Sequence, residues 1–429
     1  MEFKQYPSYK NSGVEWLGDV PSHWDVKKIK RLSPVKRGAS PRPINDLKYF
    51  DDNGEYAWVR ISDVTRCNGY LFDTEQKLSE LGASHSVKLE PESMFLSIAA
   101  TVGKPCITKI KTCIHDGFVY FPKLKKHKEL LFNIFDSKLC FVGLGKLGTQ
   151  LNLNSETVED IYISIPPDSE EEKVIKFLSL ETTKIDTLIA KQEKLIELLE
   201  EQRKSIISHA VTKGLDPNVP MKDSGVEWLG NVPEHWNLKK FCYLFDENKK
   251  KNIGLQETNV LSLSYGNIKE KNIDDNKGLL PESFETYQII KPNDIVFRFT
   301  DLQNDKRSLR SAISKYHGII TSAYIAVKTK QNADFYNYLF RAYDLQKVFY
   351  SMGEGMRQSL KMDELNKMPV VLPSEDEQKR IVSFLDSETS RIDNLIAKQE
   401  KLIEKLKEYR SSIISHAVTG KIDVREFVA

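Results

Sequence analysis

Two stretches of the chain carry a different hydrophobic rhythm from the rest. Residues 170 to 212 and 375 to 419 contain no glycine and no proline. Apolar positions return there every seven residues, the pattern of helices that pair along a seam. In the first stretch Ile185, Gln192, Leu199 and Ile206 form one row and Leu188, Leu195, Gln202 and His209 another. The second repeats this with Ile392, Gln399, Leu406 and Ile413 beside Leu395, Leu402, Tyr409 and His416. The spacings Ser169-x-x-Glu172 and Ser374-x-x-Glu377, each preceded by proline, predict capped helix starts. Gly214 and Gly420 sit where such helices stop. At 1.5 Å per residue each helix would run roughly 60 Å. The natural partners are each other, in an antiparallel, pseudo-twofold arrangement in which Gln192 and Gln399 fix the register.

Elsewhere the apolar runs are short and β-branched or aromatic. Residues 56–61, 161–165, 260–264, 294–299 and 369–372 predict strands, and 128–135 and 333–349 predict helices. The two interiors are therefore mixed α/β. Each has about 140 residues, enough for its own core.

Comparison of the chain with itself explains this layout. Ser12-Gly-Val-Glu-Trp-Leu-Gly-Asp-Val-Pro-Ser-His-Trp24 returns as Ser224-Gly-Val-Glu-Trp-Leu-Gly-Asn-Val-Pro-Glu-His-Trp236. Ile185 to Glu197 returns as Ile392 to Glu404 with one difference, and Ser205 to Thr212 returns unchanged as Ser412 to Thr419. The chain is a tandem duplication whose flanks were kept while the interiors, roughly 26 to 165 and 238 to 372, diverged. Four segments are expected: a first domain over 1–168, a helix over 169–213, a second domain over 214–373, and a closing helix with its tail over 374–429.

Composition narrows the function mainly by exclusion. The 429 residues fit two or three domains, and 63 basic against 61 acidic residues leave a net charge of +2. Five scattered cysteines give neither a disulfide framework nor a zinc spacing, and the eight histidines do not cluster, so no metal site and no cofactor are expected. Nothing resembling a signal peptide opens the sequence and no apolar run is long enough for a bilayer, so a cytoplasmic protein away from membranes is expected. Gly143-Leu-Gly-Lys-Leu-Gly148 fits a dinucleotide pattern. After Gly148, however, comes the alternating Thr-Gln-Leu-Asn-Leu-Asn, not a helix that could hold a pyrophosphate. Phosphate-loop and amino-methyltransferase motifs are missing, so catalysis by this chain alone is not expected.

Local charge is more informative than the total. Val26 to Asn45 holds seven basic residues and no acid, and Lys104 to Lys128 holds seven against Asp116 alone. The second half adds Lys249 to Lys251 and the group Arg298, Lys306, Arg307 and Arg310. The first long helix is nearly neutral, with nine acids and eight bases over 170–213. Basic clusters interleaved with Gly, Ser, Asn and aromatic residues suit loops that hold phosphates and reach base edges. The duplicated Trp16/Trp24 and Trp228/Trp236 are better assigned to packing, because identical readers would read identical bases. Base readers belong in the divergent interiors: Lys36, Arg37, Arg42, Arg60, Arg66 and Lys104 in the first, and Tyr265, Arg298, Arg307, Arg310, Arg357 and Gln358 in the second.

The duplicated flanks, Trp58-Val-Arg-Ile-Ser-Asp-Val-Thr65, Thr101-Val-Gly-Lys104, Gly355-Met-Arg-Gln-Ser-Leu360 and the Ile-Asp-x-Leu-Ile-Ala-Lys-Gln-Glu-Lys-Leu-Ile helices resemble the specificity subunit of type I restriction-modification systems over essentially the whole chain. The resemblance implies an α/β (α+β) fold in which two globular target-recognition domains are joined by two long helices forming an antiparallel coiled coil. It implies that each domain reads half of a bipartite site in double-stranded DNA. The helices would hold two methyltransferase subunits, and through them the motor and nuclease (restriction) subunits. The first half has Gly148-Thr-Gln-Leu-Asn where the second has Gly355-Met-Arg-Gln-Ser, which leaves Arg357 without a twin. The alternatives are a fragment of a self-contained restriction enzyme or methyltransferase, and a coiled-coil scaffold without DNA specificity. Methyl transfer without a partner would mark the former, and the lack of a two-patch footprint the latter.

Overall fold

The computed structural model describes residues 4–144, 153–264, 266–271, 283–300, 309–352 and 359–427. The chain divides into two compact units, one of residues 1–192 with 401–429 and the other of residues 193–400. Both units are built on one frame. In the first, the hairpin Tyr9–Asn11 with Asp19–Pro21 leads to strand Asp25–Lys28, which pairs antiparallel with Tyr162–Ile165. In the second, the hairpin Met221–Asp223 with Asn231–Pro233 leads to Asn237–Lys240, which pairs antiparallel with Pro369–Leu372. A long helix leaves each closing strand, Asp168–Lys213 and Glu375–Val418.

What the frames enclose differs. The first interior has a five-stranded sheet in the order Lys36–Arg37, Phe118–Tyr120, Met94–Ser97, Pro105–Thr108, Tyr70–Leu71. Beside it is a four-stranded sheet in the order Gln76–Leu78, Tyr56–Val59, Thr112–Ile114, Val87–Leu89. The second interior has one four-stranded sheet, Phe245–Glu247, Ile325–Thr329, Ile295–Phe297, Ser311–Ile313, and two two-stranded ones among the described residues. Helix Lys128–Asp136 forms as expected, whereas the helix expected over 333–349 is two, Ala333–Leu345 and Val348–Met352. Lys347 breaks it by adopting φ +60°, while the Gln346 amide bonds back to Ala342.

The duplicated His-Trp pairs owe their identity to a carboxylate on the first turn of each long helix. Trp24 and Trp236 are wholly buried. The Trp24 indole N–H donates to Glu170 at 2.9 Å, His23 Nε2 lies 2.8 Å from the same carboxylate, and the Tyr6 hydroxyl also donates to it. The Trp236 indole donates to Glu377 at 3.1 Å, and His235 Nε2 lies 3.0 Å from it. An acid here also suits the positive end of the helix dipole. The capping reading holds at the second helix, where the Glu377 amide donates to Ser374 Oγ at 3.3 Å. It fails at the first: that helix begins at Asp168, so Ser169 is already inside it.

Burial pushes the Glu377 carboxyl up, but donation from Trp236 and His235 outweighs this and holds it below its ordinary 4.5. A depressed folded-state pKa adds stability that is present above the unfolded value and lost as pH falls through the folded one. Wild-type stability is therefore expected to decline below about pH 4.5 more steeply than that of Glu377→Gln, as read from urea denaturation midpoints across pH.

Each core closes over parts of both long helices. In the first unit Trp24, Val174, Phe177, Leu178 and Ile185 cluster with Ile413, Ile414, Ala417 and Val418. In the second, Trp236, Ile381 and Leu385 cluster with Ile207, Ala210 and Val211. Arg410 of the first unit pairs with Asp186 at 2.9 Å, and Arg203 of the second with Asp393 at 3.2 Å.

The seam expected from the sequence needs one correction. Ile185 and Ile392 are buried, and Gln192, Leu199, Leu395, Gln399 and Leu406 are half-buried. Leu188, Leu195 and Leu402, however, are 44%, 39% and 40% exposed. The second inward row lies one residue later, with Ile403 at 8% and Ile189 and Ile196 half-buried. A heptad seam alternates steps of three and four residues. Each Leu-Ile dipeptide offers an apolar side chain at both steps, so the sequence alone does not choose between them.

Candidate nucleic-acid interface

The first interior gathers Lys36, Arg37 and Arg42 at one edge of its five-stranded sheet, around Asp116. Lys36–Arg37 is the edge strand, paired with Phe118–Tyr120, and both side chains are exposed. Gly38 comes next, and a Cβ there would run into the His115 carbonyl, so glycine is what lets the chain turn away from the strand. The loop beyond carries Arg42, whose side chain is 81% exposed and whose Nη2 stands 3.4 Å from the Asp116 carboxylate. The Arg37 guanidinium donates to the Asp116 carbonyl, and Ser40 Oγ donates to the carboxylate at 3.0 Å. The Tyr49 hydroxyl donates to the Arg42 carbonyl at 3.0 Å and pins the loop from beneath. A single acid thus orients two arginines without neutralising the group, since Lys36 has no ion pair among the described residues.

Arg60 is exposed at the start of helix Ile61–Arg66 and opens on a 590 Å³ concavity shared with Ile44, Leu47 and Phe50 and with the carboxylates Asp51 and Asp52. It has no ion pair among the described residues. At the other end of that helix Arg66 is held by Asp63 at 3.2 Å and Glu75 at 3.5 Å. Lys104 is committed to the fold: its ammonium donates to the carbonyls of Thr65 at 3.0 Å and Cys67 at 2.9 Å. Thr65 and Thr101 hydroxyls meet at 3.0 Å, so the segments Trp58–Thr65 and Thr101–Lys104 are joined in space.

Much of the remaining basic charge in the first half is already paired. Lys28 and Lys30 share Asp160, Lys109 and Lys128 share Glu92, Lys111 meets Glu55, and Lys126 meets Asp168. Most of these acids lie too far along the chain from their partners for a local count of charge to include them. Among the candidate readers of the first interior, those not committed to the fold narrow to Lys36, Arg37, Arg42 and Arg60, with Arg66 held by two acids.

In the second interior the structure changes one assignment. Arg310 has no exposed surface. Its guanidinium donates to the carbonyls of Arg298 at 3.3 Å and Thr300 at 3.0 Å and lies over the Tyr350 ring, while its amide donates to Asp344 at 2.8 Å. It organises the sheet edge from inside and is not placed to touch a base. Arg298, next to it, is half-buried. Lys249, Lys250 and Lys251 are exposed on the loop after Phe245–Glu247. Tyr265, Arg307, Arg357 and Gln358 lie outside the described residues, as does most of the Gly143–Gly148 pattern. Among the described residues no group of three or more His, Cys, Asp or Glu could hold a metal ion, and no helix is long and apolar enough to cross a membrane.

The sequence and fold are similar to those of known proteins. The type I restriction modification DNA specificity domain matches residues 21–200 and 312–408. The type I restriction enzyme MjaIX specificity subunit of Methanocaldococcus jannaschii is 21% identical over 458 residues, covering 99% of both chains. The EcoDI specificity subunit of Escherichia coli is 19% identical, covering 94% of this chain and 90% of its own. Among solved structures, the HsdS subunit from Thermoanaerobacter tengcongensis shares the fold with TM-score 0.51 at 13% identity, covering 94% of this chain and 98% of its own. A chain from a type I R-M system structure, solved to explain complex assembly and conformational transition, reaches TM-score 0.63 at 14% identity, covering 94% and 99%. With more than half of its length matched by the family's domain, the protein belongs to the type I restriction-modification specificity family and is a DNA sequence-specificity subunit.

Proposed function

We propose that the two interiors, within target-recognition domains over 1–168 and 214–373, each read one half of an asymmetric bipartite site in double-stranded DNA. The helices over 169–213 and 374–429 would form an antiparallel coiled coil that sets the spacer. They would also hold two methyltransferase subunits in the cytoplasm, through which the restriction subunits join. One observation carries this reading: an identical frame encloses two interiors with different sheets. Repeated frames suit one kind of partner bound twice, and different interiors suit two different half-sites. The antiparallel sense is supported by the ion pairs Asp186–Arg410 and Arg203–Asp393, whose residue numbers add to the same total. The exposed Leu188, Leu195 and Leu402 give the helices an apolar outer row suited to a protein partner.

The test is methyl transfer to DNA by the chain alone and with its methyltransferase, together with a footprint. Transfer only with the partner and two protected patches flanking an open spacer are expected. Transfer by the chain alone, or one continuous patch, would overturn the reading.

Within this reading the basic residues separate by role. Arg42→Ala and Lys36→Ala are each expected to reduce the slope of log affinity against log salt by about 1, with no change in melting temperature. Arg310→Ala is expected to cost about 3 kcal/mol of stability, because it leaves buried carbonyls without their donor. Salt titrations and thermal melts separate the two classes.

A further inference from the structure

The first unit contains a pair of thiols that its frame does not need. Cys67 Sγ and Cys106 Sγ are 3.6 Å apart. Cys106 lies on the buried strand Pro105–Thr108 with no exposed surface, fixed between Met94–Ser97 and Tyr70–Leu71. Cys67 caps the end of helix Ile61–Arg66, is half-buried, and lines a 770 Å³ cavity with Arg66 and Lys104. Cys106 thus cannot be reached directly, whereas Cys67 opens onto a space that admits a small solute.

We propose that Cys67 and Cys106 form an oxidisable dithiol, a modification site for hydrogen peroxide. Reactivity at such a site requires a thiolate. Donation from Cys106, against an opposing contribution from burial, holds Cys67 below the ordinary thiol range, helped by the Gly69 amide and the Lys104 cation. The Cys67 thiolate attacks one peroxide oxygen and the O–O bond breaks. This gives a sulfenic acid and a hydroxide that takes up a proton to become water. The Cys106 sulfur then attacks the Cys67 sulfur, the S–O bond breaks, and hydroxide leaves as water with the Cys106 proton. Two thiols lose two electrons, the peroxide gains them, and a disulfide and two waters result.

Bonding at about 2.05 Å requires the sulfurs to approach by roughly 1.5 Å. Strand Pro105–Thr108 is held on both sides, so the movement falls on the end of helix Ile61–Arg66. That helix is flanked by Arg60 and Arg66, so oxidation would disturb reading of the first half-site; this consequence rests on the proposed DNA reading. The other thiols are built-in controls. Cys113 and Cys140 are buried, and burial raises both. Cys242 is exposed but has no partner thiol among the described residues.

The experiment treats the reduced full chain with one equivalent of hydrogen peroxide and maps peptides without reduction. A Cys67–Cys106 cross-link reversed by dithiothreitol is expected, formed on the order of tenfold faster than Cys242 is oxidised. In Cys106→Ser, Cys67 should stop at a sulfenic acid trapped by dimedone. Cys67 and Cys106 both remaining open to alkylation while Cys242 oxidises would overturn the proposal, as would a persistent Cys67 sulfenic acid in the wild type. Footprints of reduced and oxidised complexes with the methyltransferase separate the two claims. A reduced complex that protects no DNA counts against the DNA reading and leaves the cross-link result intact.

Discussion

Replacing residues 29–161 with the matching interior of another specificity subunit is expected to change one half of the methylated motif completely and leave the other half as it was. The exchange points fall inside the strand pair Asp25–Lys28 with Tyr162–Ile165, so the frame keeps its own hydrogen bonds. Trp24, Ile163, Ile165, Val174 and Phe177 stay on the frame, and with them the part of the core that meets the long helices. The new interior must repack against the frame's inner face and against the closing long helix, where Arg410 now meets Asp136 at 2.7 Å. Methylome sequencing should show modification of the old motif reduced by about a thousandfold or more, the usual margin between specific and non-specific binding. A chimera that altered both halves would contradict the division of labour between the interiors.

The second large effect concerns distance. In the proposed antiparallel coiled coil, opposite positions on the two helices would follow the ion pairs Asp186–Arg410 and Arg203–Asp393. On that proposal, a heptad inserted between Gln192 and Glu193 would face one inserted between Ile403 and Glu404. Together they preserve both inward rows and lengthen the pair by about 10 Å. The half-sites should be unchanged and the spacer longer by up to about three base pairs, at roughly 3.4 Å each. Methylated sites with the original spacer would refute the ruler role of the helices. The same heptad placed in one helix alone would mismatch the rows, and a lower melting temperature is expected.

The repeat made the frame legible, because identical flanks require identical surroundings. The buried or half-buried run Ile185, Gln192, Leu199 follows the spacing read from the sequence, being apolar or polar at the same points in both copies. The companion row does not: Leu188-Ile189 and Leu402-Ile403 satisfy a step of three as well as a step of four. The grip of Glu170 on Trp24 and of Glu377 on Trp236 was hidden by more than 140 residues of intervening chain. Such a contact leaves no periodic trace. Among the basic candidates, Lys36, Arg37 and Arg42, neighbours in sequence, also lie together in the structure, since an edge strand and the loop after it carry them around Asp116. It misjudged Arg310 because charge was taken as a sign of exposure, whereas three backbone or ring partners hold that guanidinium inside. Lys104 was similarly absorbed by two carbonyls that close a turn.

The sharing of each core between both long helices bears on how the protein is made. The first unit's hydrophobic cluster includes Ile413, Ile414, Ala417, Val418, Ile422 and Val424, and Ser164 Oγ donates to the Val418 carbonyl at 2.6 Å. Those residues leave the ribosome only after the whole of residues 193–400. The second unit, whose residues 193–400 are contiguous, has all its parts earlier. During synthesis the unit that begins before the other is completed after it. Its apolar face waits uncovered while some two hundred residues are added, the period when an unfinished core is open to aggregation or to capture by another nascent chain.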